Sequence, residues 1–101
     1  MALRLIIAPA ARDDLTETIR YIAADDPIAA SNTLRRLEHA LRLLTDRPYL
    51  GPPVVRPVRV GLRKHTVAPC VLFYRVTDTE LQLVRLLHSS RDIDEILKRL
   101  R

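Results

Sequence analysis

Glycine is scarce in this chain: of 101 residues only Gly51 and Gly61 are glycine. A loop that cradles phosphate needs several small residues with open backbone N–H groups, so nucleotide-driven chemistry is not expected. Cysteine is scarcer still. Cys70 stands alone, which excludes an intramolecular disulfide and suits a reducing, cytosolic compartment. Cys70 and the histidines His39, His65 and His88 do not fall at ligand spacing, so neither a structural metal nor a cofactor is expected. Tryptophan is absent, and the aromatics are Tyr21, Tyr49, Phe73 and Tyr74, too few for a platform on which bases stack. No run approaches the ~20 apolar residues of a membrane-spanning helix, so no membrane partner is expected. Met1 to Ile7 lacks the charged start and small-residue cleavage site of a signal peptide.

What is present is an ordinary globular composition, 48% hydrophobic and 29% charged, which excludes a disordered basic tail. The length allows a single domain over residues 1–101. Leu3 to Ile7 alternates as a short strand. Pro9 suits the first turn of a helix running to about Ala24, with Leu15, Ile19 and Ile22 as its apolar stripe and Asp13, Asp14 and Glu17 near its positive end. Asp25-Asp26-Pro27 breaks and restarts the chain, Asp26 being placed to accept from free N–H groups of the next turn. Ala30, Leu34, Leu37, Leu41 and Leu44 then form a seam along one face of a second helix. The two helices make an antiparallel hairpin, and the seam reads as core.

Arg47 to Pro57 contains Pro48, Pro52, Pro53 and Pro57, four of the seven prolines, and is expected to be an ordered loop. Val58 to Val67 alternates, with Val58, Val60 and Leu62 on one side and Arg59, Arg63 and His65 on the other. Cys70 to Val76 and Leu81 to His88 are further strands, joined by a turn at Thr77-Asp78-Thr79. A last short helix follows, capped by Ser89 or Ser90, with Asp92 also near its start and Ile93, Ile96, Leu97 and Leu100 on one stripe. The fold expected is α+β, in the order β-α-α-β-β-β-α. The helical hairpin covers one face of a small, mainly antiparallel sheet, and the last helix is placed on the other.

The net charge is +5, unevenly placed. Arg47 through Thr77 holds six basic residues (Arg47, Arg56, Arg59, Arg63, Lys64 and Arg75) and no acidic one. With Val58, Val60 and Leu62 against the hairpin, Arg59, Arg63 and His65 face away. Each strand carries an arginine near its middle. Some of these can be paired internally; the others are expected to line an open, anion-seeking sheet face. A metal-free ribonuclease could recruit Arg63, Arg85 and His88, an arginine holding the phosphate while a base activates the ribose hydroxyl. No carboxylate stands between Arg47 and Thr77, so His65 or His88 would have to be that base.

Ala8-Pro9-Ala10-Ala11-Arg12-Asp13-Asp14-Leu15 followed by Ile19-Arg20-Tyr21-Ile22-Ala23 resembles the opening of ParE-type toxins in the ParE/RelE superfamily. So do Arg47-Pro48-Tyr49-Leu50-Gly51, Val71-Leu72-Phe73-Tyr74-Arg75-Val76, and Val84-Arg85-Leu86-Leu87-His88-Ser89-Ser90-Arg91-Asp92-Ile93. Cys70 departs from the pattern, which often has an aromatic residue there. The resemblance implies the toxin half of a type II toxin–antitoxin pair. It implies a cognate antitoxin whose acidic, apolar segment wraps the toxin in a hetero-oligomer, and DNA gyrase as target. Ribosome-dependent mRNA cleavage, the RelE-type activity, is the alternative. Arg59, Arg63, Lys64 and Arg75 are the residues expected to meet the antitoxin.

Overall fold

The computed structural model describes residues 2–55 and 61–100. Along the chain run β1 (Arg4–Ile7), α1 (Pro9–Asp25), α2 (Pro27–Asp46), β2 (Arg63–Val67), β3 (Cys70–Val76), β4 (Glu80–His88) and α3 (Ile93–Lys98). This is the expected α+β order. The sheet has the order β1-β4-β3-β2, with β1 parallel to β4 and the other pairings antiparallel.

Asp26 performs as its sequence position suggests. Its Oδ1 accepts from the N–H groups of Ile28 at 3.1 Å and Ala29 at 3.0 Å, and Pro27 fills the first helical position. From α2, Ala30, Leu37, Leu41 and Leu44 are buried and Leu34 is half-buried. Leu37, Leu41 and Leu44 join Leu72, Tyr74, Leu81, Leu83 and Leu86 in one core between hairpin and sheet. In α1 the most buried line is Ala11, Asp14 and Thr18, while Leu15, Ile19 and Ile22 are only half-buried. The helix is thus turned so that Ala11, the Asp14 carboxylate and Thr18 are its most buried side chains, with Leu15 packing at the margin of the first core.

A second core lies on the opposite face, where Val54, Leu62, Phe73, Leu87 and Leu97 pack together. α3 closes it with the expected stripe. Its cap is Asp92, whose Oδ1 accepts from Glu95 N–H at 3.2 Å; Ser89 and Ser90 lie in the preceding turn and do not cap it. A six-residue helix starts where a carboxylate can reach its N3 amide, and Asp92 stands at that distance.

Leu62 in this second core reverses the expected facing of β2. Arg63 and His65 point toward the hairpin side, paired opposite Tyr74 and Leu72 of the first core, while Lys64 sits opposite Phe73 on the α3 side. Arg59, Val58 and Val60 lie outside the described residues. β4 serves both cores through a bulge: Tyr74 pairs with Leu83 but Phe73 with Arg85, so Val84 is an extra residue. Leu81 and Leu83 face the hairpin before it, and Leu86 does so after it.

The proline loop runs beside β2. Pro53 bridges Arg63, Lys64 N–H donates to the Pro52 carbonyl at 3.0 Å, and Val54 N–H donates to the Leu62 carbonyl at 2.8 Å. The loop therefore covers the first part of an edge strand with residues that cannot continue a ladder. β2 and β3 are joined by Ala68 and Pro69, whose peptide bond is cis. Among the described residues no helix is long and apolar enough to cross a membrane.

Candidate functional site

The mid-strand arginines do not form one open face. Arg4 donates to Glu80 at 2.7 Å, and this contact lowers the carboxyl pKa of Glu80. Arg85 reaches through the bulge to Asp14, Nε to Oδ2 at 2.7 Å and Nη2 to Oδ1 at 2.8 Å. Asp14 Oδ2 also accepts from Leu86 N–H at 3.1 Å, just beyond the bulge. The Asp14 hydrogen bond raises the Arg85 pKa against the opposing effect of burial. The open arginine face is corrected on this point: two of its guanidiniums are neutralised by carboxylates. For Arg85 the reason is burial beside a core, where an unpaired charge is costly, whereas the Arg4 pair lies at the surface.

Arg63 is held differently. Its Nη1 donates to the Gly51 carbonyl at 2.8 Å, and its guanidinium lies 4.8 Å from the centroid of the Tyr49 ring. Gly51 N–H in turn donates to the Tyr74 hydroxyl at 3.0 Å, and that hydroxyl donates to the Pro48 carbonyl at 2.7 Å. Burial raises the Tyr74 pKa, with Gly51 and Arg63 acting in the opposite direction. This network fixes the loop to the sheet while leaving the Arg63 charge without a carboxylate among the described residues.

Lys64 is exposed, and Arg75, half-buried, lies on its α3 side of the sheet. Of the four residues expected to meet an antitoxin, these two share a face, Arg63 lies on the other, and Arg59 lies outside the described residues. His88 packs edge-on against Tyr21, ring centroids 5.4 Å apart, and its Nδ1 accepts from Ser90 N–H at 3.0 Å. That bond leaves the neutral ring's proton on Nε2. Arg63 and Arg85 are separated by β3, and His88 sits at the far end of β4. The structure therefore does not gather Arg63, Arg85 and His88 around one point.

It gathers instead a group that sequence reasoning missed. Between α2 and β2 lies an open groove of about 680 Å³, with Arg35, Arg36, His39 and His65 around it and Ala40, Leu43 and Val67 beneath. Arg36 Nη2 donates to the Ala68 carbonyl at 2.6 Å, and Arg35 donates to the Asn32 side chain. Both partners are neutral oxygens, and among the described residues no acidic side chain lines the groove. A signal existed: the residues three and four positions from Arg36 are Asn32, Thr33, His39 and Ala40, none able to neutralise it along the helix.

The profile of one family, described as the ParE toxin of the type II toxin–antitoxin system parDE, matches residues 5–93. The chain belongs to the ParE toxin family of type II toxin–antitoxin systems. Among curated proteins no sequence matches it. Solved structures share the fold, among them the following three. A chain of the chromosomal ParDE system from P. aeruginosa has a TM-score of 0.70 at 22% identity, over 86% of this chain and 96% of that one. One from the RelBE2 toxin–antitoxin complex of Mycobacterium tuberculosis has a TM-score of 0.62 at 22% identity, over 87% and 99%. One from the E. coli DinJ–YafQ toxin–antitoxin complex has a TM-score of 0.63 at 16% identity, over 89% and 96%. These likenesses speak for the fold.

Proposed function

We propose that the chain acts in the cytoplasm as a ParE-type toxin that inhibits DNA gyrase, and that a cognate antitoxin neutralises it in a hetero-oligomer. The observation that favours this over mRNA cleavage is the fate of Arg85. A guanidinium held by both oxygens of Asp14 is already charge-matched, and leaving that pair to grip a scissile phosphate would strand a buried carboxylate. Arg63 lies across β3 from Arg85 and His88 at the far end of β4, so the three do not converge on one phosphate. The family match adds the second support.

An antitoxin suits the charges that remain without carboxylate partners. β2 is an edge strand whose alternate residues face opposite sides, Arg63 toward the hairpin and Lys64, with Arg75 of β3, toward α3. An acidic segment wrapping this edge would meet both sets, and Arg59 belongs to the proposal on sequence grounds. The deciding experiment is a gyrase supercoiling assay over a concentration series of purified protein, run beside an mRNA cleavage assay with ribosomes. Loss of supercoiling with intact mRNA is expected. Ribosome-dependent cleavage with unaffected gyrase would overturn the reading.

A further inference from the structure

We propose that the free edge of β1 pairs with β1 of a second copy of this chain, joining the two sheets across a twofold axis at Ile6. The inference goes beyond the toxin reading and does not depend on which target the toxin strikes.

Main-chain groups carry it first. The sheet has two edges, β1 and β2. The proline loop covers the first part of β2, and nothing similar runs along β1 among the described residues. Arg4 N–H donates to the Thr79 carbonyl and Ala8 N–H to the Leu83 carbonyl, both at 3.0 Å. In this parallel ladder Arg4, Ile6 and Ala8 therefore turn toward β4, and Leu5 and Ile7 turn their N–H and carbonyl groups outward. Neither residue has a hydrogen-bond partner on that side among the described residues. The devices that blunt an edge are missing. β1 has no proline, its ladder runs without a bulge, and its one charge, Arg4, is held by Glu80.

These groups admit one antiparallel register. Opposite Ile7 of the second copy, Leu5 gives and accepts a main-chain bond; Ile7 does the same with Leu5 of the second copy, and Ile6 faces its own counterpart on the axis. Moving the copy by two residues one way would need Leu3 N–H, already given to the Thr45 carbonyl at 3.0 Å. Moving it the other way would bring in Pro9, which has no N–H and starts α1.

The side chains agree with this register. Leu5 and Ile7 already pack on the first core and supply no reason for a partner. Ile6 does supply one: it points to the other face, belongs to neither core and is 37% exposed, and its counterpart would cover it. On the hairpin side the axis runs α2 antiparallel to its copy. Glu38 and Arg42, both exposed, line a groove of about 400 Å³ beside Leu5 and Ile7. Neither lies within ion-pair distance of an opposite charge among the described residues. The twofold brings Glu38 of each copy toward Arg42 of the other, a self-complementary arrangement that a segment of one charge would not match.

The test uses the full chain. Sedimentation velocity from about 10 μM to about 1 mM should show monomer giving way to dimer, as a small interface permits, and the Leu5 and Ile7 amides should exchange more slowly as dimer forms. Ile6→Lys, which sets like charges opposite each other, should weaken dimerisation about tenfold. Glu38→Arg should weaken it too, and Glu38→Arg with Arg42→Glu should restore it. Ile6→Cys should give a disulfide-linked dimer under copper–phenanthroline oxidation, because opposed residues of a non-hydrogen-bonded pair stand about 4.5 Å apart at Cα. Cys70 is buried, so the wild type is the blank. Ile28→Cys, at an exposed position in the first turn of α2, should link far less. A monomer throughout, a dimer indifferent to Ile6→Lys, a charge swap that fails to restore what Glu38→Arg removes, or equal linking through Ile28→Cys would overturn the proposal.

Discussion

Asp14 and Arg85 meet through two parallel hydrogen bonds of 2.7 and 2.8 Å across 71 positions of sequence. The pair ties the first helix to the strand next to the bulge, and the same carboxylate takes up the Leu86 N–H. It is largely out of water, with 6% of the Asp14 side chain and 19% of the Arg85 side chain exposed. Removing one partner leaves an unmatched charge, so Asp14→Ala should lower stability by about 3 kcal/mol. The doubly apolar Asp14→Leu with Arg85→Met should recover much of that loss, the Leu86 N–H still lacking its acceptor. Urea unfolding of Asp14→Leu, Arg85→Met and the double variant measures the coupling. Additive losses would show that the pair does not act as a unit.

The Tyr74 hydroxyl gives an alkaline signature. Burial raises its pKa above the ordinary 10.0, and burial raises that of Cys70 above 9.0, against a smaller opposing effect of Arg36. As pH rises through those ordinary values, the unfolded chain releases its protons first and binds fewer than the native one. Stability therefore falls with pH in that window, having been fully present below it. Tyr74→Phe should flatten the part of the decline above pH 10.0. It should also reduce stability at neutral pH by about 1–3 kcal/mol, because Gly51 N–H and the Pro48 carbonyl lose their partner. Urea midpoints for wild type and variant across neutral to alkaline pH check both effects. Parallel curves would remove Tyr74 as a source of the slope.

Gly51 is required by contact. A Cβ there would press on the Lys64 carbonyl oxygen and stand 2.7 Å from the Tyr74 hydroxyl. The first is backbone in a sheet and the second is pinned by two hydrogen bonds, so neither can yield cheaply. Gly51→Ala should destabilise by about 1–3 kcal/mol, as overpacking does, and should loosen the loop's hold on Arg63. Thermal unfolding measures the loss, and Gly61→Ala is the comparison. Gly61 has φ +74° with open space around its Cβ position, so its effect comes from backbone strain.

The hairpin, its Asp26 cap and the element order were legible because their signals are local: a seam at helical spacing, a proline after a capping carboxylate, a turn between two β-rich runs. The face of β2 was not legible. Leu62 looks like any alternating apolar residue, and only the packing of α3 onto Phe73 and Leu87 assigns it to the second core. Asp14 read as a helix-start carboxylate because its partner lies in the last strand. The α2 groove was hidden in a polar helical face whose meaning depends on what stands across from it. The bulge was hidden too, since Val84 and Arg85 break the alternation of β4 by one residue and the sequence alone offers no partner strand to count against.

α3 makes the last prediction. A helix of six residues is too short to persist without packing, so its helicity and its docking are one event. Leu97, 2% exposed, is the side chain that binds it to Phe73 and Leu87. Leu97→Ala should remove about 2–5 kcal/mol of packing. Because α3 is a six-residue helix held by the second core, that loss should fall first on local undocking, exposing the second core while the hairpin and sheet remain folded. Leu37→Ala, a truncation of similar size in the first core, should lower the stability of the whole molecule instead. Native-state hydrogen exchange separates the two. In Leu97→Ala the amides of α3 should lose protection while those of β3 and β4 keep most of theirs, and in Leu37→Ala all should fall together. Equal loss everywhere in Leu97→Ala would mean that both cores unfold as one cooperative unit, with α3 an integral part of it.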